Sequence, residues 1–201
     1  MKKYILIILL PAILCSCIAP MDETVFIPDK EDGNLPAYTD RGYNSFGAVY
    51  ERNYFTVANN IVPCKIICRN GMLNFSVSGR IGSGYYSSGK EMTLTFSFPI
   101  SLIGESGSMN KYKDLMVLHQ KEIDLTDASC EVTMTKNYHT ENLTLLSGHL
   151  FFKRAQLLRI DDKENRVILS GTFDMRFLRN DLPEVMSNGR FDFGITDLYH
   201  Y

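Results

Sequence analysis

Alternation of apolar and polar side chains with a period of two residues is the feature that most constrains what this chain can fold into. The longest regular stretch covers residues 167–177. Successive side chains of a β-strand point to opposite faces, so this stretch predicts a strand with one apolar and one polar face. Its apolar positions are Val167, Leu169, Gly171, Phe173, Met175 and Phe177. Shorter stretches of the same kind cover residues 73–78, 93–98, 132–135 and 189–195.

From residue 46 to residue 201 the chain has the organisation of one all-β domain. Residues 111–121 are the only candidate for a long amphipathic helix, and their spacing is ambiguous. The polar segments Asp161–Arg166 and Asn180–Asn188 separate alternating stretches and are predicted to be connections. Many short strands joined by turns predict an antiparallel β-sandwich or a β-barrel, and the pattern does not choose between them.

The composition is that of a folded domain without a nucleic-acid partner. Hydrophobic residues make up 45% and aromatic residues 11% of the chain, enough for a core of ordinary size. The formal net charge is −2, and it becomes −4 without residues 1–16 and their two lysines. This negative balance gives no basic footprint for nucleic acid. The sequence also contains no pattern that predicts a cofactor.

The first sixteen residues have the pattern of a secretory signal. Met1-Lys2-Lys3 is followed by an uncharged apolar run from Tyr4 to Leu14. A transmembrane helix needs about 20 apolar residues to cross the hydrocarbon layer, and this run has roughly half that number. Residues 1–16 are therefore predicted to be a cleaved signal peptide.

The segment that follows the apolar run resembles the lipobox of bacterial lipoproteins. It reads Leu14-Cys15-Ser16-Cys17, with an aliphatic residue three places before the second cysteine and a small residue directly before it. Cys15 fits less well because Leu14 would have to serve as the small residue. The resemblance implies that Cys17 is lipidated and that the lipid anchors the protein in a membrane. Each methylene group of the lipid that is buried in the membrane contributes about 0.8 kcal/mol to the binding free energy. The alternative is a soluble secreted protein with a chance cysteine.

Residues 17–45 are predicted to be a lipidated N-terminus and tether. Prolines, glycines and acidic residues are frequent here, and hydrophobic periodicity is weak. Asp22 and Glu23 loosely resemble the surface-export signal of Bacteroidota lipoproteins. The predicted location is the cell envelope, with an outer-membrane anchor, and the side of that membrane stays open.

Three further cysteines, Cys64, Cys68 and Cys130, are predicted to be free thiols. On one strand, a spacing of four places Cys64 and Cys68 about 13 Å apart, too far for a disulfide. A bridge from either of them to Cys130 requires neighbouring strands. A metal site is not predicted, because no second cysteine or histidine pair stands at ligand spacing.

Three segments of the domain resemble recurring segments of Bacteroides-type lipoproteins of unknown function. They are Asn44–Phe55 (NSFGAVYERNYF), Ser170–Asp174 (SGTFD) and Asn188–Asp192 (NGRFD). In that family an "FGA-V-NG" strand opens the domain, and "SGTF" and "GRFD" strands close it in the same order. Arg52-Asn53 replaces the Asn-Gly turn, so a different first turn is expected. The resemblance implies export and an all-β domain, and it implies no activity or catalytic residue.

A glycine-rich loop with two adjacent tyrosines is the predicted ligand contact. Tyr85 and Tyr86 lie within residues 82–89 and can present flat amphipathic faces to a glycan, peptide or protein. The chain has no tryptophan, which is the best aromatic platform for a carbohydrate. The alternative interpretation is that the two tyrosines cover one end of the domain.

Catalysis has one weak candidate pair and is not predicted. Asp174 and Asp192 stand on polar faces of two strands and could flank a sugar bond as acid and base. Arg176 and Arg190 are equally well placed to form surface ion pairs with them. No catalytic residue is assigned on this basis.

A cluster of carboxylates at Asp161, Asp162 and Glu164 could hold a hard cation such as Ca²⁺. Lys163 and Arg166 neutralise it, and no glycine permits the tight wrap of a calcium loop, so a solvated turn is the favoured interpretation.

The chain is therefore predicted to be a lipid-anchored, non-enzymatic binding or interaction module. A hydrolase of an envelope or extracellular polymer and a structural lipoprotein without a small ligand are the alternatives.

Overall fold

The computed structural model describes residues 24–58, 63–85, 89–105, 109–160 and 163–198. The predicted signal peptide, the lipidation site Cys17 and the loop residue Tyr86 lie outside these ranges. Asp161 and Asp162, two of the three clustered carboxylates, lie outside them as well.

The described residues are mainly strands, as the alternation predicts. The strands are β1 (Ser45–Tyr50), β2 (Asn53–Thr56), β3 (Cys64–Arg69), β4 (Met72–Gly82), β5 (Lys90–Pro99), β6 (Lys121–Asp124), β7 (Glu131–Lys136), β8 (His139–Asn142), β9 (Thr144–Ile160), β10 (Lys163–Arg179) and β11 (Leu182–Ile195). 3₁₀ helices occupy Ile100–Ile103 and Tyr112–Leu118, so the ambiguous segment forms a short helix rather than a long one.

All neighbouring strands pair antiparallel in one sheet of order β6-β9-β10-β11-β1-β2-β4-β5-β7-β8, with β3 also paired to β4. The sheet curls into a half-barrel. The all-β prediction is confirmed, and of its two alternatives the barrel-like one is adopted. None of the helices in the described ranges is both long and apolar enough to cross a membrane.

The curl is fixed where the chain passes from β8 to β9. Leu143 alone connects the two strands. Two successive Cα steps of 3.80 Å span at most about 7.6 Å, so the end of β8 must lie beside the start of β9. Because β8 is one edge of the sheet and β9 is next to the other edge, this connection draws the two edges together at one corner.

The inner face of the sheet carries an aromatic core. Phe75 is central to it, with ring centroids 5.0 Å from Phe191, 5.5 Å from Phe152 and 6.1 Å from Phe96. These distances are typical of packed aromatic pairs. The apolar face predicted for residues 167–177 is buried, which confirms the assignment of that face to the core.

Two predicted connections are shorter in the structure than the sequence indicated. Asn180 and Asp181 alone connect β10 to β11, both with positive φ (50° and 61°), which is the pattern of a tight type I′ hairpin. The polar segment Asp161–Arg166 is not a solvated loop throughout, because β10 begins at Lys163 and Arg166 is buried. A run of polar residues predicts a loop by composition, because composition alone does not distinguish a turn from a polar strand.

Residues 24–44 lie along the outer face of β10 and β11, although their composition predicts a tether. Leu35 is fully buried. The Tyr38 hydroxyl lies 3.1 Å from Ser170 Oγ, and Arg190 Nη1 donates to Asp29 Oδ2 at 2.7 Å. This segment belongs to the folded body, and residues 17–23 of the predicted tether lie outside the described ranges.

Candidate functional site

A cavity of about 850 Å³ opens at the end of the half-barrel where several strand connections meet. We call it the end pocket. The β1–β2, β4–β5 and β7–β8 connections each bring a residue to its wall, and Arg179 reaches it from the end of β10. Its described lining includes Tyr50, Ser83, Lys90, Lys136, Glu141 and Arg179.

Tyr50 is the one buried side chain in the described lining of the pocket, and we call the part of the pocket around it the pocket floor. Its side chain is 5% exposed, and its ring is stacked against Phe177 at 6.2 Å between centroids. The hydroxyl donates a hydrogen bond to Glu184 Oε2 and accepts one from Lys136 Nζ at 3.1 Å. Burial raises the pKa of Tyr50 well above its ordinary value, and the hydrogen bond to Glu184 raises it further. The hydroxyl therefore stays protonated and acts as a fixed polar group.

Arg179 connects the pocket floor to the far edge of the sheet. Its Nε donates to Glu141 Oε1 of β8 at 2.6 Å, and its Nη1 lies 3.8 Å from Glu184 Oε1 of β11. The Arg179 and Glu141 side chains are 30% and 25% exposed, so water screens this pair less than a surface pair. The guanidinium is held in a defined orientation by this contact.

Lys136 is a cation held in an unfavourable environment. Its Nζ lies 4.3 Å from the centroid of the Tyr50 ring, within the range of a cation–π contact. Burial lowers the pKa of Lys136, and the charge of Arg179 lowers it further, while Glu184 and Glu141 act in the opposite direction. Two cations therefore face one cavity and raise each other's electrostatic energy.

The tyrosine loop predicted from sequence borders this pocket. Gly82, Ser83 and Gly89, at the two ends of the loop, line its wall. The Tyr85 ring is stacked on Phe26 with 3.6 Å between centroids, so one of its faces is covered by the N-terminal segment. Tyr86 lies outside the described residues, and ligand binding by this pair of tyrosines stays a prediction.

Asp174 and Asp192 do not form an acid–base pair. Asp192 pairs in register with Ser170, four positions before Asp174 on β10, which corresponds to about 13 Å along the strand. Glycosidases hold their two carboxyl groups roughly 5–9.5 Å apart. The Asp192 side chain is 1% exposed and accepts a hydrogen bond from Thr39 and others from the backbone of residues 41–43. Arg190, the expected ion-pair partner, donates to Asp29 instead.

Asp174 lies in a second, smaller groove of about 500 Å³ on the outer face of the sheet. There His149 Nδ1 lies 3.5 Å from Glu122 Oε1, with both side chains more than half exposed (54% and 61%). Among the described residues, no three His, Cys, Asp or Glu side chains are grouped so that they could hold a metal ion. Solvent-exposed contacts of this kind contribute little to recognition or stability.

The cysteines of the described domain are free thiols, as the strand spacing predicts. Cys64 is buried, and Cys68 and Cys130 are partly buried. Burial raises the pKa of the Cys130 thiol to about 11, and the charges of Asp127 and Asp124 add to this effect. A protonated thiol is a poor nucleophile and a poor metal ligand.

Apart from the loop of residues 82–89, the residues of the end pocket were missed by sequence reasoning, although a weak signal exists for Lys136 and Arg179. Lys136 and Arg179 each end an alternating stretch and stand directly before an asparagine that begins a turn. Arg69 stands in the same context before Asn70, yet its turn lies at the opposite end of the sheet, because β4 runs from that turn toward the end pocket. Strand order decides which of these turns share an end.

Comparison with known proteins gives no relative from which a function could be inferred, so the functional argument depends on the site alone. No family model matches the chain, and no curated protein or solved structure matches it at a significant level.

Proposed function

We propose that this protein is an exported lipoprotein of the cell envelope, anchored in the outer membrane through lipid on Cys17, whose β-domain is a non-enzymatic binding module. The N-terminal signal and the lipobox-like segment support export and lipid anchoring. The end pocket supports the binding role, and it is the observation that carries the proposal.

The end pocket has the properties expected of a small-molecule site. Its volume of about 850 Å³ falls within the range of roughly 300–1,000 Å³ that is usual for such sites. Polar side chains from separate strands line it and hold one another in place, as Lys136 and Tyr50 do, while Glu184 fixes the Tyr50 hydroxyl from outside the lining. Such preorganised groups recognise a ligand without having to reorganise on binding. Neither Asp174 nor Asp192 is in its lining.

Ligand binding is tested on the mature protein, purified from membranes in neutral detergent, by thermal unfolding against a panel of envelope saccharides and peptides. A ligand that binds only the folded state raises Tm. Ser83→Trp places a bulky side chain at the pocket wall and is expected to abolish this rise. Ser147→Trp, at an exposed position on β9 outside the pocket lining, is the matched control and should keep it. A ligand unaffected by Ser83→Trp would place the site elsewhere, and a panel without any ligand would favour a structural lipoprotein.

Lipid anchoring is tested by growing cells of a Gram-negative bacterium that express the full precursor with an alkyne-tagged fatty acid. We expect the label on the wild type and on Cys15→Ser, and its loss in Cys17→Ser. Label that survives in Cys17→Ser and disappears in Cys15→Ser would assign the anchor to the other cysteine. Membrane fractionation of the labelled cells then tests the outer-membrane location.

A further inference from the structure

The end pocket is a locally positive region on a chain of negative net charge. Its described lining contains three basic side chains, Lys90, Lys136 and Arg179, against two carboxylates, Glu51 and Glu141, while Glu184 lies outside the lining, against Tyr50. The chain as a whole carries a formal charge of −2. A concave site lined by an excess of one sign attracts ligands of the opposite sign. The pocket therefore favours an anionic ligand over a cationic one.

The carboxylates of the lining are already engaged, whereas the cations retain donors. Glu51 Oε1 accepts a hydrogen bond of 2.6 Å from the backbone N–H of Val185. Glu141 Oε1 accepts one of 2.6 Å from Arg179 Nε. A lysine ammonium carries three N–H donors and a guanidinium carries five. Lys136 directs one of them to Tyr50, and Arg179 Nη1 is 3.8 Å from Glu184, beyond hydrogen-bond distance. Both side chains can therefore donate to a ligand.

Mutual repulsion of the two cations gives a second reason to expect an anion. After burial, the charge of Arg179 is the next largest influence that lowers the pKa of Lys136, and the charges of Glu184 and Glu141 act against it. A carboxylate bound between the two side chains would relieve this repulsion. A planar carboxylate also matches the fork of an arginine, and such charge-assisted hydrogen bonds are the stronger ones.

The remaining polar lining is suited to hydroxyl groups. Asn53, Ser83 and Asn137 present amides and a hydroxyl at the wall, and these groups both donate and accept hydrogen bonds. We propose that the end pocket binds a sugar acid, a hydroxylated saccharide unit with one carboxylate that lies between Lys136 and Arg179. This proposal rests on the binding function proposed above and names the chemical class of its ligand.

Calorimetric titration of the mature protein in neutral detergent tests the class with three matched probes. They are D-glucuronate, D-glucose and D-glucose 6-phosphate, which differ at one position of the same sugar. Loss of a charge-assisted hydrogen bond costs about 1.5–3 kcal/mol, so glucuronate is expected to bind at least about 10-fold more tightly than glucose. Glucose 6-phosphate tests whether the pocket selects a carboxylate or accepts any anion, since an arginine fork pairs with phosphate as well as with carboxylate. The sugar-acid assignment requires it to bind less tightly than glucuronate.

Two lysine variants make a matched pair for this test. Lys136 and Lys153 each lie over a tyrosine ring, at 4.3 Å and 4.7 Å, but only Lys136 lines the end pocket. Lys136→Met should weaken glucuronate binding at least about 10-fold, and Lys153→Met should leave it unchanged. Lys90→Met changes an exposed position of the same wall, where a substitution is not expected to disturb folding. This variant should weaken glucuronate binding less than Lys136→Met does.

The outcomes separate the ligand class from the binding function. Glucose or glucose 6-phosphate binding as tightly as glucuronate would overturn the sugar-acid assignment. So would glucuronate binding that is unaffected by both Lys136→Met and Lys90→Met, or an absence of binding by all three probes. In each case the binding function stands or falls separately, on whether Ser83→Trp blocks a ligand of another class.

Discussion

At the scale of single residues, Asp192 fastens the N-terminal segment to the sheet. Its carboxylate is 1% exposed and accepts hydrogen bonds from Thr39 Oγ1 at 2.5 Å and from the backbone N–H groups of Arg41, Gly42 and Tyr43 at 3.0, 2.6 and 3.3 Å. A carboxylate is the one common side chain that offers only acceptors to so many donors. This explains an acidic residue at a buried position without any catalytic role.

We expect Asp192→Asn to lower the free energy of unfolding by about 3 kcal/mol, because the amide replaces an acceptor with a donor and leaves buried N–H groups without a partner. Urea unfolding followed by circular dichroism measures the loss. Asp174→Asn, an exposed carboxylate on the same polar face, is the control and should stay within about 0.5 kcal/mol of the wild type. Equal effects of the two changes would contradict the anchoring role.

Asp29 makes the contact of the same segment with Arg190 sensitive to pH. The backbone N–H of Glu31 lowers the pKa of Asp29, burial opposes this, and the N–H of Asp32 and the Arg190 side chain lower it further. A pKa that is lower in the folded than in the unfolded state stabilises the fold above the unfolded value of about 3.9, and this contribution disappears as the pH falls through the folded-state pKa.

The difference in the free energy of unfolding between the wild type and Asp29→Asn should therefore be largest near neutral pH. It should shrink as the pH falls below about 4, where the wild-type carboxylate becomes protonated. Urea midpoints measured for both proteins between pH 7 and pH 2 test this. A difference that does not change with pH would show that the charge of Asp29 is not what holds Arg190.

At the scale of elements, tight hairpins set the register of the sheet. The β3–β4 turn is Asn70-Gly71, with φ of 53° and 74°, and the β7–β8 turn is Asn137-Tyr138, with φ of 50° and 65°. Positive φ at both central residues defines the type I′ turn, whose twist matches that of the flanking strands. Each such turn fixes which residues face each other across its two strands. The β7–β8 turn and the β10–β11 turn, Asn180-Asp181, thereby place Lys136 and Arg179 at strand ends that border the pocket.

Gly71→Ala is expected to lower the free energy of unfolding by about 1 kcal/mol, because an L-residue in the left-handed region is strained. A Cβ at Gly71 would meet nothing within 4 Å, so the cost is purely one of backbone conformation. Gly33→Ala is the matched control, since a Cβ at Gly33 is equally free of contacts and its φ lies outside the left-handed region. Thermal and urea unfolding should show Gly33→Ala to be neutral or slightly stabilising.

At the scale of the whole molecule, the end pocket is also where the two edges of the sheet are held together. Glu141 belongs to the edge strand β8, and Arg179 belongs to β10, near the other edge. The single-residue connection at Leu143, two residues after Glu141, makes the same closure covalently. The polar floor of the pocket therefore has a structural role in addition to the proposed binding role.

A double-mutant cycle with Glu141→Gln and Arg179→Met should give a coupling free energy of about 1 kcal/mol, since the pair is partly buried and closes the half-barrel. The pair Arg80–Glu91 is the control. Its atoms are 3.8 Å apart, its side chains are 39% and 68% exposed, and it connects adjacent strands, so its coupling should be below about 0.5 kcal/mol. Similar couplings in both cycles would argue against closure through Arg179.

The sequence alone determined the antiparallel all-β fold class and which face of each alternating strand is buried. The alternation over residues 167–177 assigned Phe173 and Phe177 to the core correctly, because the side-chain period of a strand is a local property of the backbone. The barrel-like shape was only one of two alternatives. The packing of residues 24–44 was not foreseen, because the apolar residues of this segment, including the buried Leu35, have no regular period and stand among prolines, glycines and acidic residues.

Only the tertiary structure decided where the candidate site lies. Tyr50, Lys136 and Arg179 are far apart in the sequence and carry no common motif, yet strand order and the curl of the sheet bring them to one cavity. The tertiary structure also separated Asp174 from Asp192, which share a polar face in the sequence pattern. A period of two tells which face a side chain takes, whereas its neighbours depend on the register and pairing of strands distant in the chain.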